Sequence, residues 1–225
     1  GKTPLEYANT PVMDELSKQS EIGMVHTIPD GMKPGSDTAN LSVMGYDPKI
    51  YYTGRSPLEA LSIGVDMEPT DVSLRCNIVT LSEEEEVYED KKVIDHSSSE
   101  ISTEDAAVLL EALKEGLQRD GYEFYVGTSY RHLLLQKDGK VVELTPPHDI
   151  SDKKITEYLP KGENAEKLLW FMTESEKILK DHPVNKKRIA EGKRPANSIW
   201  LWGEGTKPSL SNFKEKYSVD GSIIS

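Results

Sequence analysis

Apolar residues recur at helical spacing between residues 103 and 121, where Ala106, Leu109, Leu110, Leu113 and Leu117 fall on one face. Ser102 with Asp105 predicts the start of this helix, and Gly121 its end. The same spacing in Leu168, Leu169, Met172 and Leu179 predicts a second helix over 165–180, closed by Pro183. Both apolar faces are core rather than cofactor contacts. Residues 74–81 predict a buried strand whose polar end is Ser82, before the solvated run Glu83 to Glu86. Residues 124–126 and 131–135 predict two more strands, the second joined to 141–144 through Asp138-Gly139, a hairpin signal. That pairing predicts a mixed rather than purely parallel sheet. Residues 198–202 predict a further strand in which Trp200 and Trp202 share a side. Such a pair is core, with Trp202 the one placed to line a cleft, since Gly203 and Gly205 suit a loop that bends over a ligand.

Toward the N-terminus, Ser56-Pro57-Leu58-Glu59 reads as a capping box with proline at the first helical position and Gly64 as the stop. Pro34 and Gly35 break the preceding segment, so Ser36, Asp37 and Thr38 form a polar first turn of a helix that runs to about Met44 and stops at Gly45. Backbone N–H groups there lack intrahelical partners, and the dipole favours negative charge. Gly35 lets a ligand approach closely. Two readings of Ser36 follow: a helix N-cap, or a hydroxyl at a phosphate site.

The string PDGMKPGSDTANLSVMGYDP around Ser36 resembles the nucleophile loop of the cofactor-independent phosphoglycerate mutases, archaeal-type branch, in the alkaline phosphatase superfamily. Further strings of that branch follow in order. They include GKTPLEYANTP, YTGRSPLEA, DVSLRCNIVTL, ISTEDA, SYRHLLL, LTPPHDI and RPANSIWLWGEGTKP, so the resemblance covers nearly the whole chain. It implies an α/β fold: part of an alkaline-phosphatase-like core over residues 1–66, an inserted α/β cap with a mixed sheet over 67–196, and an incomplete return into the core over 197–225. It further implies that Ser36 is the phosphoryl acceptor and a ligand of one of two divalent metals, manganese or magnesium. The remaining ligands are expected outside this chain, which reads as a central piece of a longer enzyme, with Ser222–Ser225 starting unfinished core structure. By itself the piece is expected to bind no metal and to be inactive.

Composition narrows the partners. With 225 residues there is enough chain to bury a core, and a net charge of −12 opposes nucleic acid and anionic membranes. One cysteine, Cys76, excludes an intrachain disulfide framework and reads as a small residue in a buried strand. No apolar run is long enough to span a bilayer, and a cytoplasmic enzyme is expected. The expected partner is a small phosphorylated metabolite, phosphoglycerate.

Its cations should then come from the cap. Arg131 and His132 lead, because arginine offers a bidentate fork for carboxylate or phosphate and both open a strand. Lys187, Arg188 and Arg194 form a basic cluster, equally readable as a solvated helix face, and Arg75 either enters the same cleft or pairs with a neighbouring Asp. His148, after Pro146-Pro147 and before Asp149, serves either proton transfer or a structural bond to backbone. His96, beside Asp95 in a serine-rich loop, is a further candidate, for a glycerate contact or an acid-base role, and His26 and His182 are read as structural. Two alternatives stand: another metal-dependent phosphotransferase or phosphatase of the superfamily, or a non-catalytic anion-binding module. The lack of a GxxxxGK(S/T) string argues against an ordinary P-loop kinase.

Overall fold

The strand β1 (Val72–Leu81) mixes apolar and polar residues, yet all ten are buried, so it must have neighbours on both edges and cover on both faces. In the computed structural model, which describes residues 1–221, it pairs with β2 (Val93–Asp95), β4 (Arg131–Gln136) and β5 (Ser198–Thr206), while β3 (Tyr122–Thr128) pairs with β4. All four pairings are antiparallel, where a mixed sheet was expected. Parallel neighbours need a crossover between adjacent strands, and the long helix after β2 leads to β3, which is not its neighbour. A single-residue parallel bridge, Val93 to Ser151, lies outside the ladder.

The helices are α1 (Pro4–Tyr7), α2 (Pro11–Ser17), α3 (Ser36–Val43), α4 (Pro48–Tyr51), α5 (Arg55–Ser62), α6 (Thr103–Gly116), α7 (Ala165–Leu179), α8 (Pro183–Ala190) and α9 (Phe213–Tyr217). α6 starts as its sequence dictates, with Ser102 Oγ accepting from the Asp105 N–H at 3.2 Å, but ends five residues before Gly121. Its stripe Ala106, Leu109, Leu110 and Leu113 packs with Leu168, Phe171 and Met172 of α7 and with Leu74, Cys76, Ile78 and Leu134 of the sheet. Truncating one such leucine to alanine costs about 2–5 kcal/mol. A second cluster joins Leu133 and Leu135 to Ala60, Val65 and Met67, seating α5. Burial pushes the Cys76 thiol up, as expected for a core residue.

Some local expectations fail for physical reasons. The Asp138-Gly139 hairpin does not form, because β4 already carries β1 and β3 on its two sides. The Gly139 N–H bonds Thr70 O instead, and Val142 and Leu144 pack on the core as irregular chain. The turn that does join two strands lies at Ser129, in the left-handed region at φ 56°. The capping box at Ser56 is not used: α5 starts two residues earlier, at Arg55 after Gly54, and Ser56 is buried. The helix over 165–180 does end before Pro183, at Leu179, and Pro183 also opens α8 at its first position, with His182 Nδ1 accepting from the Val184 N–H.

Gly203 and Gly205 also depart from expectation, staying within β5. A Cβ on Gly205 would lie 2.2 Å from Thr53 O, and one on Gly54 2.0 Å from Glu204 O. These glycines let two backbones touch, which draws the start of α5 against β5.

By packing, the chain divides into two units, Gly1–Ile50 and the chain from Tyr51 onward. In the first, α3 begins at Ser36 and is closed by Gly45 at φ 77°, as predicted. The expectation for Ser222–Ser225 falls outside the described residues.

Candidate functional site

Strand register assembles the site. In β1, Asn77 faces Arg131 of β4 and Trp200 of β5, and Arg75 faces Trp202. Arg75 is buried, its Nη2 paired with Glu59 Oε1 of α5 at 2.8 Å. Its guanidinium carbon lies 4.6 Å from the centre of the Trp202 ring, and that of Arg55, the first residue of α5, lies 5.5 Å from the same ring. The Trp202 indole N–H donates to Asn77 Oδ1 at 3.0 Å.

The aromatic surface continues from Trp202. His148, on the short 3-10 turn Pro147–Ile150, meets the indole edge-to-face at 5.1 Å. His96 stands 6.0 Å from His148 and 5.8 Å from Tyr130, and the exposed Arg131 reaches over the Tyr130 ring at 5.2 Å. Arg75, Arg131, His96, His148 and Trp202 are therefore one cluster. Arg55 and Tyr130 complete it and were missed. The signal for Arg55 was the preceding glycine, and for Tyr130 its place one residue before Arg131.

Arg55, Arg75 and Arg131 thus gather in one region of an acidic chain, with Glu59 paired to Arg75 and Asp149 beside His148. Burial pulls Arg75 below its ordinary value; Glu59 opposes the shift and Arg55 and Arg131 add to it. Arginine titrates so high that it keeps its charge at neutral pH. Burial also lowers His148, with Asp149 opposing and His96, Arg55 and Arg75 reinforcing. A neutral imidazole offers one donor and one acceptor. The patch can hold a carboxylate or phosphate bidentately and exchange a proton beside it.

The other predicted cations lie elsewhere. Lys187 is exposed, 4.0 Å from Glu191. Arg188 is buried, donating to the carbonyls of Ser98 and Arg194, with Asp105 beside it. Arg194 donates to Ile94 O and to Asp95 Oδ2 at 3.3 Å.

His132 is buried on the other side of β4 from Arg131, its Nδ1 accepting from the Gly127 N–H at 3.1 Å. Burial drops it to about 4 from an ordinary value of 6.5. A depressed histidine contributes stability that is complete above the unfolded value and is lost as pH falls from about 6.5 toward 4, at about 1.4 kcal/mol per pH unit. Urea unfolding of the protein and of His132→Asn, whose side-chain oxygen can keep the Gly127 bond, is expected to show a shallower acid loss in the variant. Parallel pH profiles would refute the assignment.

In the first unit, Ser36 is exposed at the first position of α3, and Gly35, in extended backbone, is the N-cap. Ser36 is thus not the cap. A Cβ on Gly35 would lie 2.3 Å from Asp37 Oδ1, which accepts from the Thr38 N–H at 3.0 Å, so the glycine makes room for that carboxylate.

Residues 17–185 match the family described as 2,3-bisphosphoglycerate-independent phosphoglycerate mutase. Over 227 residues the chain is 48% identical to a protein of that name from Methanosarcina barkeri, covering 100% of this chain and 55% of the relative. Over 226 residues it is 47% identical to a probable 2,3-bisphosphoglycerate-independent phosphoglycerate mutase from Geobacter sulfurreducens, covering 100% and 56%. Among solved structures, the PH0037 protein from Pyrococcus horikoshii superposes with a TM-score of 0.67 at 28% identity, over 96% of this chain and 49% of that one. The cofactor-independent phosphoglycerate mutase from Thermoplasma acidophilum does so with a TM-score of 0.58 at 26% identity, over 82% and 50%. The chain spans about half the length of the relatives it matches.

Proposed function

The chain belongs to the 2,3-bisphosphoglycerate-independent phosphoglycerate mutase family, and from that premise we propose that the whole protein interconverts 3-phosphoglycerate and 2-phosphoglycerate through a phosphoserine at Ser36. The observation that carries the reading is the grouping of Arg55 and Arg75 over Trp202, with His148 at the indole edge and Arg131 near enough to act on Arg75.

In this reading the Ser36 oxygen attacks phosphorus, so that the P–Oγ bond forms as the bond from phosphorus to the 3-oxygen of glycerate breaks. The proton lost by the serine is matched by one gained at the departing oxygen. The 2-hydroxyl then attacks phosphoserine, loses its proton and releases the serine oxygen, which takes one back. No water is consumed, and water must be kept out or the phosphoserine hydrolyses. The guanidiniums hold the glycerate carboxylate between the two transfers, Trp202 gives the floor, and neutral His148 exchanges a proton with a glycerate hydroxyl.

Two divalent ions, manganese or magnesium, belong to the same proposal. When bound they lower the pKa of the serine hydroxyl. Among the described residues no group of three or more His, Cys, Asp or Glu can hold a metal. The donors here do not fit a complete site, and Ser36 stands as this chain's contribution. The core, cap and return over 1–66, 67–196 and 197–225 are part of the proposal. So is a cytoplasmic location; among the described residues no helix is long and apolar enough to cross a membrane.

The test is a coupled mutase assay of the whole protein with manganese, beside Arg131→Ala. Loss of one charged contact is expected to raise KM for 3-phosphoglycerate by roughly 10- to 100-fold. An inactive protein that hydrolyses other phosphate monoesters through Ser36 would replace the mutase with a phosphatase of the superfamily.

A further inference from the structure

We propose that Asn77 is a positioning residue whose buried carboxamide ties the indole of Trp202 to the backbone of His96, fixing two groups of the arginine cluster relative to each other. The inference rests on reading that cluster as the glycerate site.

Asn77 is 1% exposed, in the middle of β1 between the core residues Cys76 and Ile78. A buried amide persists there only if both of its ends are satisfied. Its Oδ1 accepts from Trp202 Nε1 at 3.0 Å, and its Nδ2 donates to His96 O at 3.1 Å. An apolar residue of the same volume would fill the space and make neither bond. The Asn carboxamide offers a donor and an acceptor on one planar group, and Gln would carry both one methylene further.

The segment after His96 explains why such a tie is needed. Ser98, Ser99 and Glu100 all take left-handed backbone, at φ 50°, 57° and 50°, a conformation that none of them favours. Surrounding bonds hold it. Asp95 accepts from the N–H groups of Ser97 and Ser99 and from the Ser97 hydroxyl at 2.8–2.9 Å, and Arg194 donates to the same carboxylate. Arg188 donates to the Ser98 carbonyl. These groups anchor the loop on its far side, whereas the His96 carbonyl is held by Asn77. The ring of His96 then lies against Tyr130 and His148. Two cations that the sequence offered as substrate contacts, Arg188 and Arg194, are bonded to this loop.

The experiment uses the whole protein and two variants. Asn77→Leu removes both bonds, and Asn77→Asp keeps an acceptor for the indole while losing the donor to His96. Each is measured for KM and kcat, and by NMR for the His96 ring and Trp202 indole resonances. Asn77→Leu is expected to raise KM roughly tenfold and to shift both resonances; Asn77→Asp shifts His96 while retaining the hydrogen-bonded position of the indole proton. In a His96→Ala, Trp202→Phe background the KM effect of Asn77→Leu should shrink to less than about threefold, since groups in one network are not additive. Equal effects in both backgrounds, or an unmoved His96 resonance, overturn the proposal. Should Asn77→Leu not fold, the Asn77→Asp resonances decide it. Absence of mutase activity in the unsubstituted protein would overturn the glycerate reading alone, because the resonances report the tie without turnover.

Discussion

Ser36→Ala in the whole protein is expected to abolish mutase turnover, lowering kcat by roughly 10⁴-fold or more while leaving the fold intact. On the phosphoserine reading the effect is large because the substitution removes the atom that would bond to phosphorus, and neighbouring groups do not replace it. Thr38 is buried, and Asp37 has an oxygen committed to the Thr38 N–H. The fold should survive because Ser36 is exposed and Gly35 is the cap, and alanine is the better helix former. A coupled assay with manganese reads the rate, and mass spectrometry of the acid-quenched enzyme reads a phosphoryl group on Ser36. A variant that kept more than about one-hundredth of the rate would rule out the phosphoserine route.

The second large effect is on stability. Gly54 sits at φ 144°, and a Cβ there would stand 2.0 Å from Glu204 O and 2.8 Å from both Glu204 C and the Gly205 Cα. Gly54→Ala is expected to cost about 2–5 kcal/mol, combining a backbone conformation unfavourable to L-residues with a contact that only backbone movement can relieve. The control is Gly162→Ala, where φ is 102° but no atom lies within 4 Å. It carries the conformational cost alone, about 1–2 kcal/mol. Thermal unfolding of both variants separates the two causes, and equal losses would show that the close approach to β5 is immaterial. Arg55 follows Gly54 directly, so the first variant should also weaken binding of anions at the cluster.

Much of this was legible in the chain. The stripe of α6 with its Ser102 cap and the helix α7 follow from periodicity, because each buries one face in the main core, while β1 and β4 follow from short continuous runs that are buried on both faces. Five of the clustered side chains were singled out by type and local setting, though register alone brings Arg75, Arg131 and Trp202 together. What could not be read was pairing. Nothing local says that β4 is flanked on both sides, so Asp138-Gly139 looked like a hairpin. The glycines of β5 looked like a ligand loop because their real neighbour, Gly54, is distant in sequence. One error was avoidable: Arg131 and His132 are adjacent on a strand, and a period of two sends them to opposite faces.

The antiparallel pairing of β1 also sets an order of events during synthesis. Val72 meets both Gln136 and Thr206, so the central strand must wait for partners made much later. Contacts so far apart in sequence form slowly, and a chain emerging from the ribosome exposes its unpaired strand edges meanwhile. β4 can dock on β1 while the last third of the chain is still untranslated, but Arg75 has no indole beneath it until Trp202 emerges. On the glycerate reading, the anion site would therefore be completed only at a late step of folding.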